Sequence, residues 1–530
     1  MIRSIAPETM QYLIEQRSMH ALLDVREHGE YNLAHIAGST SVPRRTLEFA
    51  IGGLVPCKTV QVIVCDDNCE RASLAGRTME TIGYTRVAVL EGGINSWASK
   101  GLPTQWGMNV LGKDFGEHQE VRHHVPTMHP DELSQRIERG QPVVMLDTRT
   151  VEEYRRHCIP GGRSMPGVEL ALRIGDIRRD HPDSLIVVNC AGRTRSIMGT
   201  RLLQRMGIAD VVGLKNGTSG WFLAGKTLEE GADRTELGTP SPQSVQAAEI
   251  FARRIAAEDG VRILTADQLD LRLNRLADEC TYLIDVRTAQ EYEVGHIPGF
   301  VHFAGGQAVQ RVEDAAPVRS ANIIFCCNGV ARSFIAASWF RQMGFATVFA
   351  LDGGIGAWAA SGRRLETGTG AATVDATLMQ KAVPAIDPLE LHSRLGHNAS
   401  LLVLHVGTSG EFASGHVPGS HWLSRSWLDL RIRALAPVLT KGIVVTAADP
   451  TAAYLAAVTL CRMGYSDIAQ LVDGIRGWRA AGLPIETGLS GVMQAPDDLL
   501  PPPTGPKRSH ADMINYLRWE EALGRKHAAP

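Results

Sequence analysis

The stretch Leu185-Ile186-Val187-Val188-Asn189-Cys190-Ala191-Gly192-Arg193-Thr194-Arg195-Ser196 sets how this chain reads. Its first half is an apolar run of strand length. Its second half leads into Ile197, Met198, Leu202, Leu203 and Met206, whose spacing suits an amphipathic helix. A loop between a parallel strand and a helix gathers backbone N–H groups at the helix start, and such a geometry binds anions. It also favours thiolate, which lowers a thiol pKa from about 8.5 into roughly the 3.5 to 7.5 range. Cys190 is therefore expected to be an activated nucleophile, with Arg195 in the last position of the loop facing the same anion.

The pattern around this stretch occurs four times. In the second copy, Asp147-Thr148-Arg149, Glu153-Tyr154 and His157 to Gly161 precede the loop, and Met206-Gly207, Asn216-Gly217 and Trp221 follow it. The third copy has Asp285-Val286-Arg287, Glu291-Tyr292, His296 to Gly299, Cys327 to Ser333, Met343-Gly344, Gly353-Gly354 and Trp358. The first has Asp24-Val25-Arg26, Glu30-Tyr31, His35 to Gly38, Gly83, Gly92-Gly93 and Trp97, and the fourth keeps Glu411-Phe412, His416 to Gly419, Met463-Gly464, Gly474 and Trp478. The tryptophans stand roughly 120 to 140 residues apart, a domain-sized step rather than that of a solenoid. Each copy opens with an apolar run (Ala21 to Val25, Val143 to Asp147, Tyr282 to Val286, Leu401 to Val406), and strands alternate with helical stretches. The expected class is α/β: four domains, each a mainly parallel sheet with helices on both faces.

Only the second and third copies carry the central cysteine. Counting back from Gly83 and Gly464 by the distance that separates Cys190 from Gly207 reaches Asp66 and Ala447. Cys65 and Cys69 thus flank the first site, and Cys326 is the neighbour of the nucleophile Cys327. Asp66, in an anion-binding turn, imitates a bound anion, and Arg71 remains to pair with it. The fourth copy has lost the clamp as well: Ala452 replaces the arginine, and His405 and Gly407 replace Asp and Arg. Domains are expected at residues 1–106 and 382–488, both inactive, and at 125–228 and 260–368, both active, followed by a tail at 489–530. The joins suggest two tandem pairs.

A formal net charge of −3 gives no basic footprint, so nucleic acid is not an expected partner. No apolar run approaches membrane-spanning length, and the first twenty residues lack the zones of a secretory signal. Nine cysteines scattered over 530 residues argue for reduced thiols. A cytoplasmic protein is the expectation.

These motifs resemble the rhodanese sulfurtransferase family over nearly the whole chain, including a four-domain subgroup with a similar tail. The resemblance implies that Cys190 and Cys327 take sulfane sulfur from a donor, hold it as a persulfide and yield it to a thiophilic acceptor. It implies no metal and no organic cofactor. Expected partners are small anionic donors such as thiosulfate or mercaptopyruvate, thiol or cyanide acceptors, and, as a second class, a persulfide-donating or sulfur-accepting protein. Arg193, Arg195 and Ser196 in one loop, and Arg332 and Ser333 in the other, are the expected anion-binding residues. Arg193 and Arg195 put two cations beside Cys190 against one beside Cys327, which predicts the more charged donor at Cys190. Thiol phosphatases and arsenate reductases of the same fold use a seven-residue loop, whereas both loops here span six. A non-enzymatic persulfide carrier or scaffold is the other alternative.

Several features read more simply as structure. Arg26, Arg149 and Arg287 are expected to pair with Glu30, Glu153 and Glu291. His35, His157, His296 and His416 are read as one recurring structural position, and the four tryptophans as core anchors. Residues Gly107 to Pro130, with His118, His123, His124 and His129, read as a solvated linker rather than a metal site. Cys57, Cys158, Cys280 and Cys461 read as small hydrophobes. Redox roles for Cys65 with Cys69, or for Cys326 with Cys327, are the minor alternatives.

Overall fold

The computed structural model describes residues 2–276, 279–370, 374–397, 400–503 and 505–527, so the end of the Thr367 to Thr373 linker lies outside the described residues. The β-rich runs form four separate five-stranded sheets of one topology. In the second copy the strands are Thr127–Met128, Val143–Asp147, Arg163–Ser164, Leu185–Asn189 and Val211–Leu214. Across the sheet they stand as third, second, fourth, fifth and first in chain order, and all pairs are parallel. The third copy repeats this with Arg262–Leu264, Thr281–Asp285, Val301–His302, Asn322–Cys326 and Val348–Leu351.

Both faces of each sheet are covered, as parallel sheets require. In the fourth copy Leu402 and Leu404 pack into one apolar cluster and Val403 into another, so alternate side chains of one strand feed two cores. Trp97, Trp221, Trp358 and Trp478 are buried, and each indole N–H donates to a backbone carbonyl six residues on.

Two compact units result, and they are not the tandem pairs that the joins suggested. One unit is Met1–Met108 with Ala372–Pro501, and the other is Asn109–Ala371 with Pro502–Pro530. The first copy therefore pairs with the fourth: the Arg71 guanidinium lies 4.0 Å from the Trp427 ring, and Arg425 pairs with Glu48 at 2.6 Å. The second copy pairs with the third, together with the C-terminal residues.

The solvated linker is also corrected. Val110–His123 is a helix that buries Lys113, Phe115, Gly116, Glu117 and Gln119. It packs on the helix Thr194–Arg205 and on the C-terminal helix His510–Arg525. Gly116 makes the first crossing possible, because a Cβ there would come within 2.9 Å of the Thr194 methyl carbon.

Candidate active site

Each cysteine loop is shaped by a glycine that follows the next strand. Asn216 and Gly217 both adopt left-handed backbone. An asparagine tolerates that conformation, but a Cβ on Gly217 would sit 2.1 Å from the Cys190 carbonyl oxygen. The Thr218 N–H then donates to that oxygen at 2.8 Å. Gly354 stands in the same relation to Cys327, Gly93 to Asp66 and Gly474 to Ala447, at 2.1, 2.3 and 2.3 Å. The four glycines touch the same loop position in all four sheets, whatever residue occupies it.

Cys190 and Cys327 sit between the end of a central strand and the start of a helix, 2% and 1% exposed. The Cys190 thiol lies 3.6 Å from the Ser196 hydroxyl, and the Cys327 thiol 3.3 Å from that of Ser333. Each serine donates to the carbonyl three residues earlier. Both serines therefore stand fixed beside the sulfur, with an oxygen lone pair free to accept from the buried thiol.

The glutamate of each Glu-Tyr element has two tasks. Thr150 and Glu153 form a capping box at the start of a short helix, as do Thr288 and Glu291. The same carboxylates hold the loop arginines in fork geometry: Arg195 donates to Glu153 at 2.6 and 2.7 Å, and Arg332 to Glu291 at 2.7 and 2.6 Å. Burial raises these carboxyls, but the arginine charge and hydrogen bonds outweigh it and hold both at about 2. This corrects the expected pairing. Arg149 and Arg287 instead turn back on Asp147 and Asp285 two residues earlier, and donate to the carbonyls of His157 and Gly295. The Thr-x-x-Glu spacing was the signal that the glutamate faces its own helix start.

Arg193 does not add a second free cation beside Cys190. Its guanidinium engages both oxygens of Glu117, at 2.7 and 2.8 Å, and also pairs with Glu120 and Glu521. Three carboxylates neutralise it, and the charge argument for different donors at the two loops loses its basis. Arg332 has an additional partner of its own, Glu169 at 2.5 Å, supplied by the second copy.

His157 does not share the position of the other histidines. His35, His296 and His416 stack on Tyr31, Tyr292 and Phe412 at 3.9, 3.8 and 3.7 Å. In the second copy Cys158 takes that place, bridging to Glu229 as His296 bridges to Glu366. The Pro-Gly that follows is the sequence signal: Pro160 lies three residues after His157, but Pro298 lies two after His296. His157 instead lines a cavity of about 260 Å³ that contains Cys190. Arg149, Glu153 and Arg195 line it too, with Gln310 from the third copy and Pro502, Pro503, Tyr516 and Glu520 from the C-terminal residues. None of these last four was expected at the site.

The other two loops hold no thiol at the equivalent place. The Asp66 carboxylate accepts hydrogen bonds from the backbone N–H groups of Asn68, Cys69, Arg71 and Ala72, at 2.6 to 3.3 Å. A carboxylate thus fills an anion-binding turn. The Arg71 side chain, expected on Asp66, goes to Glu30 and Asp67 instead. Beside Ala447 lies a cavity of about 190 Å³ lined by Arg45, Glu411 and Arg425. Cys65 and Cys326 are buried at strand ends, and burial pushes both thiols well up. All nine cysteines are free.

The rhodanese-like domain family matches residues 6–100, 129–224 and 265–361, more than half of the chain. The chain belongs to the rhodanese family. A crystal structure of a thiosulfate sulfurtransferase from Pseudomonas aeruginosa is similar from end to end: 34% identity, a TM-score of 0.90, and 99% of this rhodanese covered against 98% of that chain. The thiosulfate sulfurtransferase GlpE of Pseudomonas paraeruginosa is 34% identical over 84 residues, 16% of this chain and 74% of its own. A putative sulfur carrier protein of Bacillus subtilis, YrkF, is 28% identical over 113 residues, 21% of this chain and 58% of its own. This rhodanese is a sulfurtransferase of the rhodanese type. Among the described residues no helix is long and apolar enough to cross a membrane.

Proposed function

We propose that this rhodanese moves sulfane sulfur from a small anionic donor such as thiosulfate to cyanide or a thiol, through persulfides on Cys190 and Cys327. The observation that carries this reading is the Cys190 thiol at a strand-to-helix turn, beside the Ser196 hydroxyl, opening on a cavity walled by Arg149 and Arg195. In the first half-reaction the thiolate attacks the outer sulfur of thiosulfate. The sulfur–sulfur bond breaks, and its electron pair leaves with sulfite. In the second, the carbon of cyanide attacks the terminal sulfur of the persulfide, and thiocyanate departs as the thiolate is restored. The N–H groups of the turn and the helix start carry the negative charge through both steps. A cytoplasmic setting, where thiols stay reduced, suits this chemistry.

The loops at Asp66 and Ala447 are proposed to be inactive, one filled by its own carboxylate and the other without nucleophile or arginine. Docking of a persulfide-donating or sulfur-accepting protein is a further proposed task for them. Peptide mass spectrometry after exposure to thiosulfate tests the central reading. The expected result is the mass of one added sulfur on the peptides of Cys190 and Cys327, removed again by cyanide. Unmodified peptides, with no thiocyanate released, overturn it.

A further inference from the structure

The C-terminal helix His510–Arg525 brings a second carboxyl to the Cys190 site. Tyr516 and Glu520 line its cavity, and Glu520 is 3% exposed. The Tyr516 hydroxyl donates to Glu520 Oε1 at 2.8 Å, while Oε2, also buried, has no hydrogen-bond partner. Oε2 faces the nucleophile loop, since an ideal Cβ on Gly192 would lie 3.1 Å from it. A second orphaned polar atom, Arg195 Nε, belongs to the same cavity lining. Arg332 Nε is orphaned in the same way beside Cys327, so at the Cys190 site the unpartnered, buried Glu520 Oε2 is the atom that marks the place of a polar ligand.

We propose that Glu520, backed by Tyr516, is a donor-binding residue of the Cys190 site and holds an oxygen of the anionic sulfur donor through Oε2. The inference rests on the sulfurtransferase reading of Cys190 and gives the C-terminal helix a task within it. A carboxylate would repel such an anion, but a neutral carboxyl donates a hydrogen bond to it. Burial pushes Glu520 up, against the pull of Lys113, Tyr516, Arg193 and Arg195, and so moves the balance towards the neutral form.

The groups that face Glu520 are known from each side. Lys113 and Glu117 come from the helix Val110–His123, and burial carries Glu117 to about 7 in spite of its hydrogen bonds with Arg193. Arg193, Arg195 and Cys190 come from the loop and Tyr516 from the same helix, with Arg149, Glu153, Arg156 and His157 across the cavity. At Cys327 the corresponding neighbour differs. An ideal Cβ on Gly329 would lie 3.1 Å from Glu249 Oε1, but that glutamate is half-exposed. The buried carboxyl distinguishes Cys190, and pH then separates the two sites.

The test uses the full chain carrying Cys327→Ser, with thiosulfate as donor and cyanide as acceptor, from about pH 5 to about pH 9 to span ordinary and raised carboxyls. The KM for thiosulfate is expected to rise with pH. Glu520→Gln keeps a donor at this place and is expected to hold KM at its low-pH value throughout. Glu520→Ala raises KM about tenfold at low pH, the loss of one charge-assisted hydrogen bond. A Glu520→Gln profile superimposed on the parent overturns the proposal, as does a profile flattened by Glu117→Gln instead. Should Ala unfold the helix, Tyr516→Phe, which keeps the ring but removes a hydrogen bond that favours the carboxylate, still has to move the rise in KM to higher pH. If Cys190 gains no sulfur at any pH, the reading of Cys190 itself fails, and that result is distinct from a loaded Cys190 whose KM ignores Glu520.

Discussion

The unit built from the first and fourth copies and the unit built from the second and third have the same sheets and loops, but they fill the centre of the loop differently. In one unit Asp66 satisfies four backbone N–H groups with its own carboxylate, and Ala447 puts only a methyl group beside a cavity. In the other, two thiols stand there beside serine hydroxyls. Around the centre the first copy keeps its partners, whereas the fourth has Ala452 in place of the loop arginine. The capping glutamate still holds the loop arginine in the first copy, Glu30 with Arg71, where no thiol needs them. That pair is therefore part of how the loop is built. What separates the units chemically is the side chain at the loop centre, in the fourth copy the loop arginine too, and the walls around them.

The largest effect tests that separation directly. Cys190→Ser with Cys327→Ser is expected to lower thiocyanate formation by about a thousandfold or more, since the nucleophile is lost from both loops. Each single variant then gives the share of the other site. Residual turnover near that of the parent would place a nucleophile in the first unit and break the comparison.

Next comes the glycine that touches each loop. Gly217→Ala forces a Cβ to within 2.1 Å of the Cys190 carbonyl at a φ of +53°. The loop has to move, and about a hundredfold loss of kcat/KM at Cys190 is expected from the displaced nucleophile. Gly93→Ala meets the Asp66 carbonyl at 2.3 Å. It is expected to destabilise its unit by about 1 to 3 kcal/mol through the same strain, with turnover unchanged. Chemical denaturation and steady-state kinetics of the two variants read the contrast.

The filled loop offers a contrast in stability alone. Asp66→Ala leaves four N–H groups without their acceptor and is expected to cost about 2 to 4 kcal/mol, whereas Asp66→Asn keeps an acceptor and costs about 1 kcal/mol. Denaturant unfolding measures both. If the two variants are equally stable, the carboxylate is not what holds that turn.

The sequence made the repeat, the strand-to-helix loops, the place of the two loop thiols and that of Asp66 legible, because each depends on local spacing. The pairing of the first copy with the fourth was not, since contacts such as Arg71 on Trp427 join residues that no local pattern relates. The helix Val110–His123 was hidden by its own side chains: it buries Lys113, Glu117 and Gln119, polar residues that read as solvent-facing. Arg193 looked like a free cation because its partners Glu117, Glu120 and Glu521 lie far along the chain. The displacement of His157 is legible in the spacing, since Pro160 lies three residues after it and Pro298 only two after His296.

The smallest effect asks whether the arginine–glutamate pair belongs to the scaffold in both units. Glu153 is held at about 2, below the 4.5 of a free carboxyl, so the folded state binds its proton less tightly than the unfolded chain does. Its contribution is complete above the unfolded value and disappears as pH falls from there towards about 2. Glu153 is about a third exposed at its side chain, which limits the gain to about 1 kcal/mol after solvent screening. The stability gap between the parent and Glu153→Gln, followed by denaturant unfolding, is therefore expected to close on acidification. Glu30, lowered by Arg71 against the effect of burial, predicts the same closing gap for Glu30→Gln in the unit whose loop centres carry no thiol. A gap that closes for Glu153 alone would tie the pair to the catalytic loops rather than to the fold, because the two glutamates cap equivalent helices and differ only in what their arginines surround.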